Sequence, residues 1–391
     1  MYIAILGRQP ALGIAELERT FSGKSVKLLY PQAVSIDCDG FEIQNFGGVP
    51  KAGKIIAELP HSDWHQVSQK IVHYYTNEWS TFDGKITVGL SAYNFTVDAR
   101  EVQKTGIILK QKLKKYDTSI RLVPNIEPAL NSATSHHNKL GLSDNKVELL
   151  IVRTNDNKVI IAESTGSQNI TAYAKRDQER PKRDAFVGML PPKLAQIMIN
   201  LASGDSSSTN KQCILDPFCG TGVILQEAVL KGYSAYGTDL SDKMIEYSHD
   251  NLDWLSNNYH KKFDYKLHQG DAMNTKWQQP IDIIVGETYL GQPFSAPPSP
   301  AKLNEVMQNC NHIITEFLKN LMPQIKTGTQ ICIAIPAWCD KNGHFNHLPL
   351  VSTIARLGYK PHEFTNILQN DLLYYREGQV VARELLVLTK I

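Results

Sequence analysis

The 391-residue sequence has little of what marks secreted, membrane-spanning or metal-stabilised proteins. It contains only six cysteines, none spaced as Cys-X-X-Cys, which argues against a disulfide scaffold or a zinc ribbon and favours reduced thiols. No apolar run approaches the roughly 18 residues of a membrane span, and the first residues lack a basic leader with a cleavage site. We therefore expect an unexported, cytoplasmic protein without membrane contact.

Net charge is also nearly absent, because 41 Lys and Arg residues against 39 Asp and Glu residues leave +2. A nucleic acid would have to bind at a local basic patch. The sequence has no Gly-X-Ser-X-Gly elbow and no His, Cys and acidic residues at metal-ligand spacing, so we predict no metal site. With 42% apolar and 20% charged residues, the composition is that of a globular protein, and the length predicts two or three domains.

The order of strand-like and helix-like segments predicts an α+β part followed by an α/β part. Up to about residue 165, short strands and helices alternate irregularly, and Asp98 can cap a helix that runs to about Tyr116. From Gln212 onward, strands and helices alternate regularly, which predicts a parallel sheet covered by helices on both faces. Residues 362–368 and 383–390 are expected to close this sheet as an antiparallel pair.

A glycine-rich strand-to-helix turn is the most informative segment. The strand ends at Asp216, and Gly220 and Gly222 allow the backbone to turn sharply into the next helix, although such a turn needs glycine with or without a ligand. Asp239 and Asp271 end the next two predicted strands, so three carboxylates are expected at one sheet edge. Three acids without a P-loop lysine fit a phosphate group poorly and suit a cationic ligand that carries adenosine.

These residues resemble the motifs of the class I S-adenosylmethionine-dependent methyltransferases. The run DPFCGTG at 216–222 is similar to their first motif, Asp239 to the ribose-binding acid, and Asp271 to the acid beside the adenine. The resemblance implies S-adenosylmethionine as cofactor. The cofactor-binding residues that it implies are Asp216, Phe218, Gly220, Gly222, Asp239, Leu240, Asp271 and Ala272.

The fourth strand of the α/β part is expected to end at the site of the methyl acceptor. Enzymes that methylate exocyclic amines usually carry Asn or Asp, two prolines and an aromatic residue there, because a poorly nucleophilic amine must be oriented and its base held by stacking. This sequence has Gly286, Glu287, Thr288 and Tyr289. We predict Glu287 and Tyr289 as the catalytic residues, with an exposed loop acid and a packing residue as the respective alternatives.

Several segments together resemble the tRNA guanosine N2-methyltransferases that carry a THUMP domain. The segments lie at 6–18, 176–202, 216–222, 289–293 and 374–388. The resemblance implies a Rossmann-like, seven-stranded methyltransferase domain after an α+β ferredoxin-like and THUMP RNA-binding region. It also implies methylation of the exocyclic N2 amine of a guanosine in tRNA, with position 10 as the expected target. Its partners would be tRNA and, as for some relatives, a small zinc-binding activator protein.

The same resemblance divides the chain into four parts. They are a ferredoxin-like region at 1–60, a THUMP-like domain at 61–170, a linker at 171–190 and the methyltransferase domain at 191–391. Two alternatives stay open. One is a DNA adenine or cytosine methyltransferase, which would share the cofactor site but would normally show the complete motif after the fourth strand. The other is a catalytically impaired RNA-binding homologue, which Gly286 and Thr288 suggest because they depart from the family pattern.

Two basic clusters are candidates for contact with the RNA backbone. The residues are Lys104, Lys110, Lys112, Lys114, Lys115 and Arg121 in and after the helix capped by Asp98, and Arg176 and Arg180 ahead of the methyltransferase domain. A solvated helix face is the alternative for the first cluster. Salt bridges that join domains are an equal alternative for the second cluster.

Overall fold

The computed structural model describes residues 1–184, 189–204 and 211–391. This part of the chain forms two compact units. The first unit comprises Met1–Pro10, Lys24–Asn45 and Val49–Ala172, and the second comprises Ala11–Gly23, Phe46–Gly48 and Tyr173–Ile391. The boundary after residue 172 lies in the predicted linker, whose residues 185–188 fall outside the described ranges. The division into four parts stays a prediction.

The helices within the described ranges are α1 (Pro10–Phe21), α2 (Trp64–Glu78), α3 (Ala99–Leu113), α4 (Ser132–His137), α5 (Ile170–Gln178), α6 (Pro192–Ser203), α7 (Val223–Leu230), α8 (Asp242–Tyr259), α9 (Pro300–Leu321) and α10 (Leu350–Thr353). None of them is long and apolar enough to span a lipid bilayer.

The first unit is built on an eight-stranded sheet. Its strands are β1 (Tyr2–Ile5), β2 (Val26–Tyr30), β3 (Ala33–Ile36), β4 (Lys51–Leu59), β5 (Lys85–Tyr93), β6 (Ser119–Leu122), β7 (Lys146–Arg153) and β8 (Val159–Ser167), in the order β2-β3-β1-β4-β8-β7-β5-β6. Strand β5 runs parallel to β6 and β7, and the other pairs are antiparallel. The unit is therefore of the predicted α+β type.

Helix α3 begins where the sequence predicts it. The Asp98 side chain accepts a hydrogen bond of 2.9 Å from the backbone N–H of Glu101, which satisfies one of the free donors at the helix start. Val102, Leu109 and Leu113 recur at helical spacing and are buried against the sheet core. The polar residues between them, including most of the lysines, consequently face solvent.

The second unit contains a sheet whose main path has seven strands. They are β9 (Cys213–Asp216), β10 (Ser234–Asp239), β11 (Tyr265–Gln269), β12 (Ile283–Glu287), β13 (Gln330–Cys339), β15 (Tyr359–Pro361) and β17 (Val381–Lys390), in the order β11-β10-β9-β12-β13-β17-β15, while β14 (Phe345–Asn346) and β16 (Leu373–Tyr374) pair at the side. The first five strands in this order are parallel, and β17 is antiparallel to β13. An apolar core covers each face.

One local prediction for this unit is wrong. The strand expected at 362–368 is absent there, and the short strand Tyr359–Pro361 pairs with β17 instead. Residues of the predicted linker contribute to helix α5, in which Tyr173 bonds to Gln196 and Arg176 pairs with Glu227 inside the unit.

Helix α1 belongs to the second unit although it precedes most of the first in sequence. Its Glu16 carboxylate is fully buried and accepts hydrogen bonds from the backbone N–H groups of Gly47 and Gly48, at 2.9 and 2.8 Å, and from the Asn200 amide at 2.6 Å. Leu12 and Ala15 join the apolar core beside α6 and α7. These long-range bonds hold α1 in the second unit.

Candidate active site

A cavity of about 510 Å³ lies at the carboxyl ends of the parallel strands of the second unit. Strand β9 pairs with β10 on one side and with β12 on the other. The strand order therefore reverses direction at β9, because β10 and β11 extend the sheet to one side and β12 and β13 extend it to the other. In open α/β sheets, ligands bind in the crevice that such a switch creates. The cavity is therefore the candidate active site.

The glycine turn after β9 forms one wall of the cavity. Gly220 and Gly222 have φ values of 50° and 79°, in the left-handed region that favours glycine. The N–H of Gly220 donates to Oδ2 of Asp239 and the N–H of Ser241 donates to Oδ1, both at 2.9 Å. The turn thereby fixes the Asp239 carboxylate, while each of its oxygens retains a lone pair for a ligand hydroxyl.

Asp216 is almost fully buried at the end of β9, and its Oδ1 accepts a hydrogen bond of 3.1 Å from the N–H of Phe218. Burial raises the pKa of the Asp216 carboxyl well above its ordinary value, and the nearby Asp239 and Glu287 raise it further. Burial also raises the pKa of Asp239. A cationic ligand would relieve this repulsion, and no Lys or Arg pairs with either acid within the described residues.

The third acid, Asp271, follows β11 and accepts a hydrogen bond of 2.9 Å from the N–H of Met273. Seven of the eight predicted cofactor residues line the cavity, namely Asp216, Phe218, Gly220, Asp239, Leu240, Asp271 and Ala272. Gly222 does not line it and acts through the backbone, since a Cβ atom there would lie 2.9 Å from Oγ of Ser248. The three acids and the apolar walls beside them fit S-adenosylmethionine, which combines a sulfonium cation with an adenosine.

Glu287 is the last residue of β12 and lines the same cavity. Its side chain is 13% exposed and forms an ion pair with Nε of Arg383 in β17. The preceding residue, Gly286, has little room for a side chain that could bind the methyl acceptor, because a Cβ atom there would lie 3.1 Å from Oδ1 of Asp216 and 3.2 Å from Cδ of Pro217. Close packing against Asp216 thus explains why glycine occupies position 286, where related enzymes have Asn or Asp. The carboxylate of this site is instead supplied by the next residue, Glu287.

Thr288 replaces a proline of the usual motif with a different constraint. Its backbone N–H and its Oγ1 both donate to the carbonyl of Ala334 in β13, each at 3.0 Å, and the residue is buried. The turn after β12 is therefore held by hydrogen bonds where prolines would stiffen it. Tyr289 follows at the cavity rim with 43% of its surface exposed, so it is not a packing residue of the core.

Sequence reasoning missed Arg383 and part of the cavity wall. Leu190, Met273, Asn309 and Ile313 also line the cavity, the last two from α9. A signal for Arg383 was present, because a charged residue within the apolar run of a sheet strand needs a partner. Residues contributed by α9 carry no such signal, since their spacing is that of any amphipathic helix.

The basic residues of the first unit divide into two groups. A groove of about 550 Å³ between α3 and β6 is lined by Lys110, Lys114 and Arg121, together with Lys85 from β5. Lys104, Lys112 and Lys115 are exposed but lie outside this groove. Nζ of Lys104 lies 3.9 Å from Oε1 of Glu101. The predicted basic cluster is thus exposed, but only half of it lines a concave surface.

The structure contradicts RNA contacts by Arg176 and Arg180. Arg176 is buried, and both its Nε and Nη2 donate to the Glu227 carboxylate, as the salt-bridge alternative anticipated, although within one unit. Arg180 is only 3% exposed, and its guanidinium makes no hydrogen bond to the described residues. Phosphate groups of an RNA backbone cannot reach side chains buried in this way.

Within the described ranges, no three His, Cys, Asp or Glu side chains are grouped as metal ligands.

Counted along the second unit, the main strands stand in the order three-two-one-four-five-seven-six with the seventh antiparallel. With the glycine turn and the acids at the strand ends, this is the architecture of a class I methyltransferase. A family model described as a methyltransferase domain matches residues 208–371. A second, described as DNA methylase, matches residues 51–250, slightly more than half of the chain, and the chain belongs to that methylase family.

Comparison with individual proteins gives related results. Over 166 residues the chain is 30% identical to a tRNA (guanine(10)-N2)-dimethyltransferase from Methanothermobacter thermautotrophicus, covering 42% of this chain and 44% of that protein. A protein of the same name from Pyrococcus abyssi is 39% identical over 107 residues, 27% of this chain and 26% of the relative. The matches therefore span less than half the length of either relative.

Two solved structures share the fold along nearly the whole chain. TrmN from Thermus thermophilus superposes with a TM-score of 0.54 at 14% identity, covering 100% of this chain and 99% of that one. A possible methylase from Clostridium difficile 630 has a TM-score of 0.50 at 14% identity, with 98% and 97% covered. At such identities the likeness concerns the fold alone.

Proposed function

We propose that this protein transfers a methyl group from S-adenosylmethionine to the exocyclic N2 amine of a guanosine in tRNA, at position 10. The observation that carries the proposal is the carboxylate of Glu287 at the end of β12, in one cavity with the three acids of the cofactor site. The tRNA (guanine(10)-N2)-dimethyltransferases that resemble parts of the chain support the substrate and its position.

The chemistry of the base edge favours guanine. Guanine presents two adjacent donors, the ring N1–H and the N2 amine, and a carboxylate offers only acceptors. Adenine and cytosine present a ring acceptor beside their amine, which a carboxylate such as Glu287 would repel. The acid at this position therefore supports a guanosine substrate over either other amine-bearing base.

When bound, S-adenosylmethionine supplies a methyl group on a positively charged sulfur. Glu287 accepts an N–H hydrogen bond from the acceptor amine, directs the nitrogen lone pair, and takes up or passes to solvent the proton that the amine loses. Tyr289, exposed at the rim, stacks on the base and holds it in the cavity. Thr288 fixes the turn that carries both residues.

Along the sequence, a ferredoxin-like region at 1–60, a THUMP-like RNA-binding domain at 61–170 and a linker at 171–190 are proposed to precede the methyltransferase domain at 191–391. Support comes from the groove lined by the basic side chains of Lys85, Lys110, Lys114 and Arg121 and by one acid, Asp117, because this excess of positive charge suits a phosphate backbone. A small zinc-binding activator protein belongs to the proposal as a further partner. The six free cysteines agree with the cytoplasmic location proposed for the enzyme.

DNA amine methylation is the second candidate, because the DNA methylase model matches about half of the chain. The two candidates differ in the nucleic acid and in the base. The catalytically impaired homologue proposed from Gly286 and Thr288 has less support, since both residues have a packing or hydrogen-bonding reason in the structure.

Incubation with isotopically labelled S-adenosylmethionine and either bulk tRNA or duplex DNA separates these candidates. We expect label in guanosine from tRNA and none in DNA. Label in adenine or cytosine of DNA would support the second candidate. Donor binding without label in either nucleic acid would identify the impaired homologue.

A further inference from the structure

Arg383 lies beside the proposed catalytic acid but on a different strand, at the far side of β13. Strand β12 pairs with β13 through Glu287 and Ala334, and β13 pairs with β17 through Pro336 and Arg383. The Arg383 guanidinium reaches across β13 and its Nε donates to Oε1 of Glu287. The two side chains are only 12% and 13% exposed. The pair is therefore largely shielded from water.

This contact leaves half of the carboxylate available. Oε2 of Glu287 accepts no hydrogen bond from the part of the chain that the structure describes, and Glu287 lines the cavity. One oxygen is thus held by the arginine while the other can accept from a ligand. This arrangement suits a hydrogen-bond acceptor whose orientation has to be fixed before the substrate binds.

A glutamate needs such a partner more than the shorter residues usual at this site. Its side chain has one rotatable bond more than Asp or Asn, so without an anchor its carboxylate would sample more directions. The surroundings also require a cation, because Asp216 and Asp239 line the same cavity and carry charge of the same sign as Glu287. Arg383 supplies both the anchor and the compensating charge.

We propose that Arg383 is a positioning residue of the methyl-transfer reaction, which holds the Glu287 carboxylate in the orientation that accepts the substrate amine. This inference rests on the proposed function, because it assumes that Glu287 receives the acceptor. Arg383 itself is not expected to touch the cofactor, since it does not line the cavity with the three aspartates.

The test is a double-mutant cycle on the full-length protein with tRNA as substrate. Arg383→Gln is expected to lower kcat by about 10²-fold, the usual cost of a misplaced reacting group, and to leave KM for tRNA and the calorimetric Kd for S-adenosylmethionine nearly unchanged. In a Glu287→Gln background the same change should alter kcat by less than about twofold, because the carboxylate that it positions is gone. Arg383→Lys, which keeps the charge but not the planar fork, should show an intermediate loss.

Arg356→Gln, at an exposed arginine in the same unit, serves as the matched control and should behave as wild type. Thermal melting of each variant distinguishes a loss of folded structure from a loss of kcat. If Arg383→Gln does not fold, the comparison is made with Arg383→Lys. Wild-type kcat in both Arg383 variants would overturn the inference, as would an equal loss with and without the Glu287 carboxylate. If the wild-type protein itself does not methylate tRNA, the proposed function fails first and the inference fails with it.

Discussion

In the proposed reaction, Glu287 is the residue on which recognition of the substrate amine depends. Glu287→Ala should lower kcat by about 10²- to 10⁴-fold, the range for loss of a positioned acid–base group, without weakening the binding of S-adenosylmethionine. Glu287→Gln should be similarly impaired, because its amide places a donor against the donors of guanine. Steady-state kinetics with tRNA measures both, and Glu305→Ala, at an exposed glutamate of α9, is the control. A Gln variant with wild-type kcat would rule out the carboxylate as the acceptor.

The carboxyls of Asp216 and Asp239 should make donor binding depend on pH. Their pKa values lie above the ordinary 3.8 because both groups are buried. A cationic donor favours the ionised carboxylates, so its affinity should rise as pH increases and these groups lose their protons. S-adenosylhomocysteine has no charge on sulfur, and its affinity should rise less steeply. Calorimetry with both ligands over a pH series tests this, and parallel curves would contradict it.

Single residues were predictable from sequence to different degrees. Asp216, Asp239 and Asp271 could be identified because the ends of consecutive parallel strands meet at one edge of a sheet. The position of Arg383 in an apolar strand indicated that it needs a partner, but not that the partner is Glu287, because the pairing of β12, β13 and β17 brings the two residues together. The burial of Arg176 and Arg180 could not be predicted either, because a run of basic residues has the same sequence pattern whether it lies on the surface or forms buried ion pairs.

At the level of secondary-structure elements, the groove between α3 and β6 is the part expected to contact RNA. Changing Lys110, Lys114 and Arg121 together to alanine should weaken tRNA binding. It should also make the negative slope of log K against log salt shallower, by about one for each phosphate group that is no longer neutralised. Binding titrations at several salt concentrations measure the slope. The matched control changes Lys104, Lys112 and Lys115 together to alanine, because these residues are exposed in and just after the same helix, lie outside the groove and carry the same number of positive charges. Equal effects of the two sets would exclude the groove as the specific contact surface.

Elements with strong end signals and clear apolar spacing were predicted well, as helix α3 with its Asp98 cap illustrates. Strand β4 was missed because its residues Lys51–Leu59 mix glycine and charges with apolar residues, and its pairing with β8 shifts register twice. Helix α5 was missed because its sequence is polar and its stability comes from the Tyr173 and Arg176 contacts within the second unit.

For the whole molecule, alternation of strands and helices was sufficient to predict the parallel sheet of the second unit, but not which distant segments complete it. Helix α1 joins that unit through Glu16, whose partners Gly47 and Asn200 are far away in sequence. The two sheets, the cavity with the three acids and the basic groove lie in one chain, and this combination agrees with the proposed methylation of a base in tRNA.

Mass spectrometry of a tRNA transcript after incubation with the purified protein and S-adenosylmethionine tests the central claim most directly. The account predicts one or two added methyl groups on guanosine 10, identified as N2-methylated nucleoside. It predicts none on a transcript with inosine at that position, because inosine keeps the N1–H donor but lacks the exocyclic amine. Methylation of the inosine transcript at position 10, or a methyl group at a ring nitrogen or ribose of the guanosine, would contradict it.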